Sequence, residues 1–154
     1  MRLAIAELSL GKAVLGICPS PGRAGFYDAD FAALRHWHPD LVLSLTSAEE
    51  LKQTAPSLAA DLQEADIDWL HFPIPDYGLP EAGWPALSKL LHARLNAGQR
   101  LLVHCMGGCG RSGTILLRLL VEAGEEPVAA LTRLRAVRPC AVESDAQYAW
   151  ASNP

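Results

Sequence analysis

A cysteine and an arginine stand at the two ends of a glycine-rich segment, with five residues between them. Cys105 opens the segment, Arg111 closes it, and the residues between are Met106, Gly107, Gly108, Cys109 and Gly110. Glycines allow backbone conformations that a Cβ blocks, so successive N–H groups can point into one anion-sized hollow. A thiol beside such a hollow is expected to ionise, and the planar fork of an arginine binds two oxygens of one phosphate. The spacing predicts a phosphate-binding loop that contains a nucleophile.

The segments on either side should hold this loop at the edge of a sheet. Leu101–His104 is a short apolar run typical of a central strand, and Thr114–Ala123 is a nearly all-apolar helix that must be buried. The helix begins near Arg111, so its positive dipole end adds to the same hollow. Open α/β sheets bind ligands at the carboxyl ends of their strands, which is where Cys105 falls.

Strand-like and helix-like segments alternate along the rest of the chain. Further strands are predicted at Lys12–Ile17, Leu41–Leu45 and Ile67–Phe72. Further helices are predicted at Asp30–His38, from Ser47 with a capping-box Glu50, and at Ser57–Ala65, Pro85–Ala97, Pro127–Val137 and Ser144–Trp150. The buried face of the Pro85–Ala97 helix is predicted to carry Leu87, Leu90, Leu91 and Leu95. This order predicts an α/β fold, with a mostly parallel central sheet of about four to five strands flanked by helices.

The composition is that of an ordinary globular domain. The chain has 154 residues, a net charge of −4 and 50% hydrophobic residues, which favours a single domain over residues 1–154. This balance predicts no nucleic-acid and no membrane partner. Because no apolar run reaches the roughly 20 residues that cross a bilayer, we expect a cytoplasmic protein. The oligomeric state is left open.

The four cysteines show no spacing typical of a disulfide framework. A zinc site needs two close pairs of ligands, whereas His104, Cys105 and Cys109 crowd one turn, so neither a metal nor another cofactor is expected. Cys109 is predicted to capture oxidised Cys105 in a disulfide, with Cys18 as a second candidate partner. The alternative is that Cys109 is a small apolar residue packed under the loop.

Attack on a phosphate ester expels an oxygen that needs a proton, so a carboxylic acid should lie over the loop. Asp76 lies in the proline-rich stretch that follows a predicted strand, 29 positions before Cys105. Its alternative role is to initiate the turn before Gly78.

These motifs resemble those of the cysteine-dependent protein phosphatases. The signature His-Cys-x5-Arg-Ser/Thr is filled by His104, Cys105, Arg111 and Ser112. Leu15–Gly22 and the Pro-Ile-x-Asp-x-Gly pattern of Pro73–Gly78 are similar to the atypical dual-specificity subgroup. Cys109 departs from that subgroup, in which a small or apolar residue other than cysteine is usual.

The resemblance implies a protein-tyrosine-phosphatase-like fold and phosphomonoester hydrolysis through a phosphocysteine on Cys105, with Asp76 as the general acid. It implies that Ser112 bonds the cysteine sulfur, although Ser112 could also cap the next helix, and that His104 orients the loop. It also implies that Gln147 places the hydrolytic water, the alternative being a solvated helix glutamine.

A phosphoprotein or phosphopeptide is the expected substrate, because the uncharged Met106–Gly110 offers no lysine to the extra phosphates of an inositol polyphosphate. Two rival functions remain: a catalytically silent phosphate-binding module, and a sulfur-transfer or arsenate-reducing enzyme with a similar Cys–Arg loop. Scattered arginines are interpreted mostly as solvated surface: Arg23, Arg35, Arg133, Arg135 and Arg138.

Overall fold

A computed structural model describes residues 3–154, which contain five strands and seven helices. The strands are β1 (Ala6–Leu10), β2 (Ala13–Cys18), β3 (Leu41–Ser44), β4 (Asp68–His71) and β5 (Arg100–His104). The helices are α1 (Tyr27–Trp37), α2 (Ala48–Thr54), α3 (Leu58–Glu64), α4 (Trp84–Asn96), α5 (Gly110–Glu122), α6 (Pro127–Val137) and α7 (Asp145–Ser152). The sheet order is β1-β2-β5-β3-β4, with β1 antiparallel to β2 and the other pairs parallel. The predicted fold class and the central position of β5 are confirmed.

Strand β1 was not predicted from the sequence. It forms a hairpin with β2 in which Leu10 pairs with Ala13, and Gly11 in the connecting turn has a φ of 58°. The segment that forms β1 is only five residues long, and its apolar residues, such as Leu8, alternate with polar ones. A short, half-exposed edge strand of this kind is weakly marked, whereas the buried parallel strands are continuous apolar runs.

The central strand is apolar on both faces because helices cover both sides of the sheet. Leu101 and Val103 join a core shared with α4, α5 and α6, while Leu102 joins the opposite core, which contains Val42 and residues of α1, α2 and α3. This alternation follows from the two-residue period of a strand. The two cores fix β5 in the middle layer, and with it the position of its carboxyl end.

Helix α4 buries a different stripe from the one predicted. Its buried residues are Trp84, Ser88, Leu91 and Leu95, and Leu90 is 40% exposed. The buried positions follow the i, i+4, i+7 pattern of one helical face, and Leu90 lies to the side of it. The prediction that Leu90 lies on the buried face was therefore wrong.

Helix α5 is held at its far end by charged side chains. Glu122 accepts hydrogen bonds from Trp84, Ser88, His92 and Arg118, three of which tie it to α4. Arg118 also donates to the backbone carbonyl of Trp150 in α7 (2.7 Å). Because α5 is fixed against both α4 and α7, its first turn is fixed in relation to the sheet.

Within residues 3–154, no helix combines the length and the apolar character that a membrane span requires.

Candidate active site

The phosphate-binding loop, Cys105–Arg111, connects the carboxyl end of β5 to α5. The adjoining strands end beside it, because His104 pairs in register with Cys18 of β2 and Ser44 of β3. Gly108 has a φ of 70°, and a Cβ at this position would lie 2.5 Å from the backbone carbonyl carbon of Cys18. Only glycine fits this close approach without moving the backbone.

The structure buries the predicted nucleophile beside a hydroxyl group. Cys105 is 3% exposed, and its Sγ lies 3.2 Å from the Oγ of Ser112. Ser112 lies in the first turn of α5, after the N-cap residue Cys109, so its alternative role as the N-cap was wrong. The loop bends so that the two side chains meet across seven positions of sequence.

The arginine at the end of the loop is buried and held rigidly. Arg111 is 2% exposed. Its two terminal nitrogens donate separately to the two carboxylate oxygens of Glu50 (2.8 and 3.0 Å), and Nη1 also donates to the Ile74 carbonyl (3.1 Å). This two-point pairing fixes the plane of the guanidinium, which is the property needed for two-point contact with a phosphate.

Glu50 is a site residue that sequence reasoning missed. The predicted capping box is confirmed: the Ser47 Oγ accepts from the Glu50 N–H, and the Glu50 carboxylate accepts from the Ser47 N–H (2.9 Å). The hydrogen bond from Arg111 lowers the pKa of Glu50 to about 2. The same carboxylate therefore caps α2 and orients Arg111, and only the first role has a local sequence signal.

The structure brings Asp76 to Arg111. The Asp76 Oδ1 lies 3.4 Å from the Nη2 of Arg111, although the side chain is 63% exposed. The segment is also a turn, because the Gly78 N–H donates to the Pro75 carbonyl (2.7 Å) and the Tyr77 N–H donates to Asp76 Oδ1 (3.1 Å). The turn explains this position, since it presents the Asp76 carboxylate to Arg111.

His104 is fully buried and lies under the loop. Its Nε2 is 2.5 Å from the Ser44 Oγ, its Nδ1 is 3.2 Å from the Cys105 carbonyl, and burial lowers its pKa to about 4. The Trp69 N–H donates to the same Ser44 oxygen (2.8 Å), so the Ser44 hydroxyl hydrogen is free to bond Nε2. With Nε2 accepting from the Ser44 hydroxyl, the proton of the neutral imidazole lies on Nδ1, which donates it to the Cys105 carbonyl at the start of the loop.

Gln147 is fully buried, so its alternative role as a solvated helix glutamine was wrong. Its Oε1 accepts from the N–H groups of Glu143 (2.8 Å) and Ser144 (3.2 Å). Its Nε2 has no hydrogen-bond partner within the described part of the chain, and it lies beside Gly110, where a Cβ would be 3.2 Å away. A buried amide donor left unpaired in this way is costly, and it faces the loop.

Cys109 forms a disulfide with Cys140, while Cys105 and Cys18 are free and buried. Because the bridge occupies the Cys109 sulfur, the prediction that Cys109 captures oxidised Cys105 was wrong, and so was the alternative of a free side chain packed under the loop. Cys109 and Cys140 are 31 positions apart in sequence. They meet because α5 leads the chain away from the loop and α6 returns it. Burial raises the pKa of the Cys18 thiol, so Cys18 stays protonated.

Arg138 is a second residue of the site that sequence reasoning missed. It belongs to the group of arginines for which the sequence favours mostly solvated surface, yet its guanidinium donates to the backbone carbonyls of Gly107 (2.9 Å) and Gly108 (2.9 Å). Nothing local to Arg138 marks this contact, because it depends on the return of the chain after α6.

A buried cysteine and a fixed arginine close one loop at the carboxyl edge of a mostly parallel sheet, with an aspartate turn beside them, which is the arrangement of a cysteine-dependent phosphatase domain. The model of the DSP-PTPase phosphatase domain of the Swiss Army Knife protein family matches residues 24–150. The chain belongs to this family, and the predicted resemblance is confirmed.

Curated mammalian proteins named cyclin-dependent kinase inhibitor 3, from mouse, human and rat, are similar to the chain. The mouse protein is 32% identical over 145 residues (87% of this chain and 68% of the relative), and the human protein is 31% identical over 159 residues (94% and 74%). Against the rat protein, which is 33% identical, the chain spans 53% of the relative's length.

Solved structures agree with this assignment. A crystal structure of kinase associated phosphatase, with its catalytic site cysteine replaced by serine, matches with a TM-score of 0.87 and 26% identity, and the match covers 98% of this chain and 93% of that one. The active form of Tk-PTP matches with a TM-score of 0.72 and 27% identity, covering 92% and 90% of the two chains. The chain is therefore a protein phosphatase domain of the dual-specificity type.

Proposed function

We propose that this single domain hydrolyses phosphomonoesters on phosphoproteins in two steps, through a phosphocysteine formed on Cys105. The supporting observation is the pairing of Arg111 with two carboxylates, Glu50 and Asp76, at the end of a loop that begins with a buried cysteine. The pairing with Glu50 supports the orientation of Arg111 for phosphate, and the short distance from Asp76 to Arg111 supports Asp76 as the acid for the leaving oxygen. A cytoplasmic location is part of the proposal, because a nucleophilic thiol survives best in a reducing compartment.

In the first step the Cys105 sulfur attacks phosphorus and the bond from phosphorus to the ester oxygen breaks. The leaving oxygen takes a proton from the Asp76 carboxylic acid. The guanidinium of Arg111 and the loop N–H groups bind the three equatorial oxygens, on which charge accumulates in the transition state.

In the second step water attacks the phosphorus of the phosphocysteine, Asp76 accepts a proton from the water, and the bond from phosphorus to sulfur breaks. Ser112 is 3.2 Å from the sulfur and can donate to it as the thiolate is released. The unpaired Nε2 of Gln147, next to Gly110, supports a role for this amide in placing the water. His104 keeps the first peptide of the loop oriented and does not touch the substrate.

The substrate we propose is a phosphorylated protein side chain. The loop between Cys105 and Arg111 carries no charged side chain that would bind the extra phosphates of an inositol polyphosphate. A silent binding module would need neither Cys105 nor Asp76, and sulfur transfer gives no reason for Asp76 beside Arg111.

Phosphate release from peptides that contain phosphotyrosine, phosphoserine or phosphothreonine, measured with a metal chelator present, tests this function. We expect release from phosphotyrosine and phosphothreonine peptides, a rate that the chelator does not change, and much slower release from an inositol polyphosphate. A folded protein that binds inorganic phosphate yet releases none from any peptide would be the silent module. Thiosulfate and arsenate assays distinguish the sulfur-transfer and arsenate-reducing alternatives.

Glu50→Gln should lower kcat/KM by about 10–100-fold, because a lost hydrogen bond to a charged group is worth about 1.5–3 kcal/mol. The glutamine oxygen can still accept from the Ser47 N–H, but its NH₂ cannot accept the second bond from Arg111. The matched control is Glu49→Gln, an exposed neighbour that makes no ion pair with any residue in 3–154, and it should leave kcat/KM unchanged. Equal rates for Glu50→Gln and wild type would contradict a positioning role for Glu50.

The ion pair between Glu50 and Arg111 should make the free energy of unfolding decrease as the pH falls. The pKa of Glu50 in the folded protein is about 2, below its ordinary value of 4.5, so the pair stabilises the fold above pH 4.5 and this stabilisation is lost as the pH falls towards 2. The difference in urea unfolding free energy between wild type and Glu50→Gln should thus be largest near neutral pH and shrink on acidification.

A further inference from the structure

The segment Arg138–Glu143, which we call the late loop, lies directly against the phosphate-binding loop. The Val142 N–H donates to the Cys109 carbonyl (3.2 Å), in addition to the two bonds from Arg138 to Gly107 and Gly108. The approach is so close that a Cβ on Gly113 would lie 2.6 Å from the Val142 nitrogen. The late loop is therefore a second support of the phosphate-binding loop, in addition to the backbone at Cys18.

The bonds from Arg138 set the direction of two peptide groups. In a trans peptide the C=O and the next N–H point in opposite directions. When Arg138 binds the carbonyls of Gly107 and Gly108, the N–H groups of Gly108 and Cys109 point the other way. Successive N–H groups aimed to one side are what lines an anion-binding hollow.

The disulfide joins these two loops covalently at the same place. Cys109 is the residue directly after Gly108, Cys140 comes two residues after Arg138, and the Arg138 Nη2 is 4.0 Å from the Cys109 sulfur. Cys140 is exposed to solvent and Cys105 is not part of the bridge. A solution thiol can therefore reach the bridge without consuming the nucleophile.

We propose that the Cys109–Cys140 disulfide is a positioning link that holds Arg138 against the loop carbonyls, so that its reduction weakens phosphate binding. This inference rests on the proposed function of the same loop. With the bridge reduced the loop binds phosphate less tightly; with the bridge formed the loop is held in its binding form.

The chemistry is thiol–disulfide exchange with a dithiol as reductant. A thiolate of the dithiol attacks the Cys140 sulfur, the S–S bond breaks, and Cys109 leaves as a thiolate that takes a proton. The second thiol of the dithiol then displaces Cys140 and closes the dithiol into a cyclic disulfide. Two electrons pass from the dithiol to the protein, which gains two thiols.

Calorimetric binding of inorganic phosphate tests the inference in a Cys105→Ser background, where reductant cannot act on the nucleophile. Opening the bridge with a dithiol should raise the Kd for phosphate about tenfold, which corresponds to about 1.4 kcal/mol. Adding Cys140→Ser should raise the Kd to the same value and abolish the response to the dithiol. Arg138→Ala should give a Kd at least as high.

Two measurements keep the result interpretable. Mass spectrometry must show the peptide that links Cys109 to Cys140 before reduction and its loss afterwards, and circular dichroism must show a folded protein throughout. If the bridge is purely structural, opening it should lower the melting temperature but leave the Kd for phosphate, measured well below that temperature, unchanged. A Kd that changes by less than about twofold when the bridge opens would overturn the proposal, and so would the lack of a linked peptide in the oxidised protein.

Turnover of a phosphopeptide by the protein with Cys105 intact separates this proposal from the proposed function. Redox-dependent phosphate binding without any turnover would refute the hydrolytic function alone. Turnover together with redox-independent binding would refute the positioning link alone. If Cys140→Ser does not fold, the dithiol titration of the bridged protein decides by itself.

Discussion

Replacing Cys105 by serine is expected to abolish phosphopeptide hydrolysis, with a loss of at least about 10³-fold in kcat, while phosphate binding is retained. A serine hydroxyl stays protonated under conditions in which a thiol ionises, so the variant lacks the nucleophile. It keeps the contacts that bind the anion, because Arg111 and its partners Glu50 and Ile74 are unchanged. Initial rates with a phosphotyrosine peptide and calorimetry with inorganic phosphate measure the two properties separately.

The matched control is Cys18→Ala, which replaces the other free cysteine in the described chain. Burial raises the pKa of the Cys18 thiol, so it contributes no nucleophile, and this variant should keep most of the activity. Retention of more than about 1% of wild-type hydrolysis by Cys105→Ser would remove Cys105 from the mechanism. A loss of phosphate binding in that variant would instead show that the sulfur helps to hold the loop.

The features that could be predicted from sequence are those set by neighbouring residues. The loop from Cys105 to Arg111, the strand before it and the helix after it lie within one short stretch, and their pattern predicts both the geometry and the chemistry. The capping box of Ser47 and Glu50 is a spacing of three residues and is equally local. Strand β5 could be placed in the centre of the sheet because a short run without polar alternation is buried on both faces.

The contacts that sequence reasoning missed all join distant parts of the chain. Glu50 and Arg111 are 61 positions apart, Arg138 binds carbonyls about 30 positions earlier, and the disulfide spans 31 positions. Each contact depends on how helices return across the sheet edge, which no local spacing encodes. A single acidic or basic residue on a helix looks the same in sequence whether it lies in solvent or against a loop.

These missed contacts change what the site can do. The sequence predicts an arginine at the end of a loop, but its orientation comes from Glu50, which α2 supplies from the other face of the sheet. In the same way, the loop glycines permit the backbone path, while Arg138 and the disulfide select it. Local sequence therefore defines the reacting groups, and long-range packing defines how precisely they are held.

Asp76→Asn is expected to lower kcat by roughly 10²–10⁴-fold for an alkyl phosphate, the usual range for a positioned general acid. The asparagine amide has nearly the same shape and can stay near Arg111, but it cannot donate a proton to the leaving oxygen. The loss should shrink for an aryl phosphate whose phenol is acidic enough to leave without protonation. Steady-state rates for a pair of substrates with different leaving groups, compared in wild type and variant, measure this difference.

The matched control for Asp76→Asn is Glu81→Gln, which removes an exposed carboxylate from the same connection between β4 and α4. Glu81 forms no ion pair with the described residues, so its loss should change neither rate by more than about twofold. If Asp76 only shapes the turn from Pro75 to Gly78, asparagine should serve as well as aspartate, because both residues favour such turns. Rates close to wild type on both substrates would then assign Asp76 to the turn, and losses of equal size on both would show that Asp76 does not protonate the leaving oxygen.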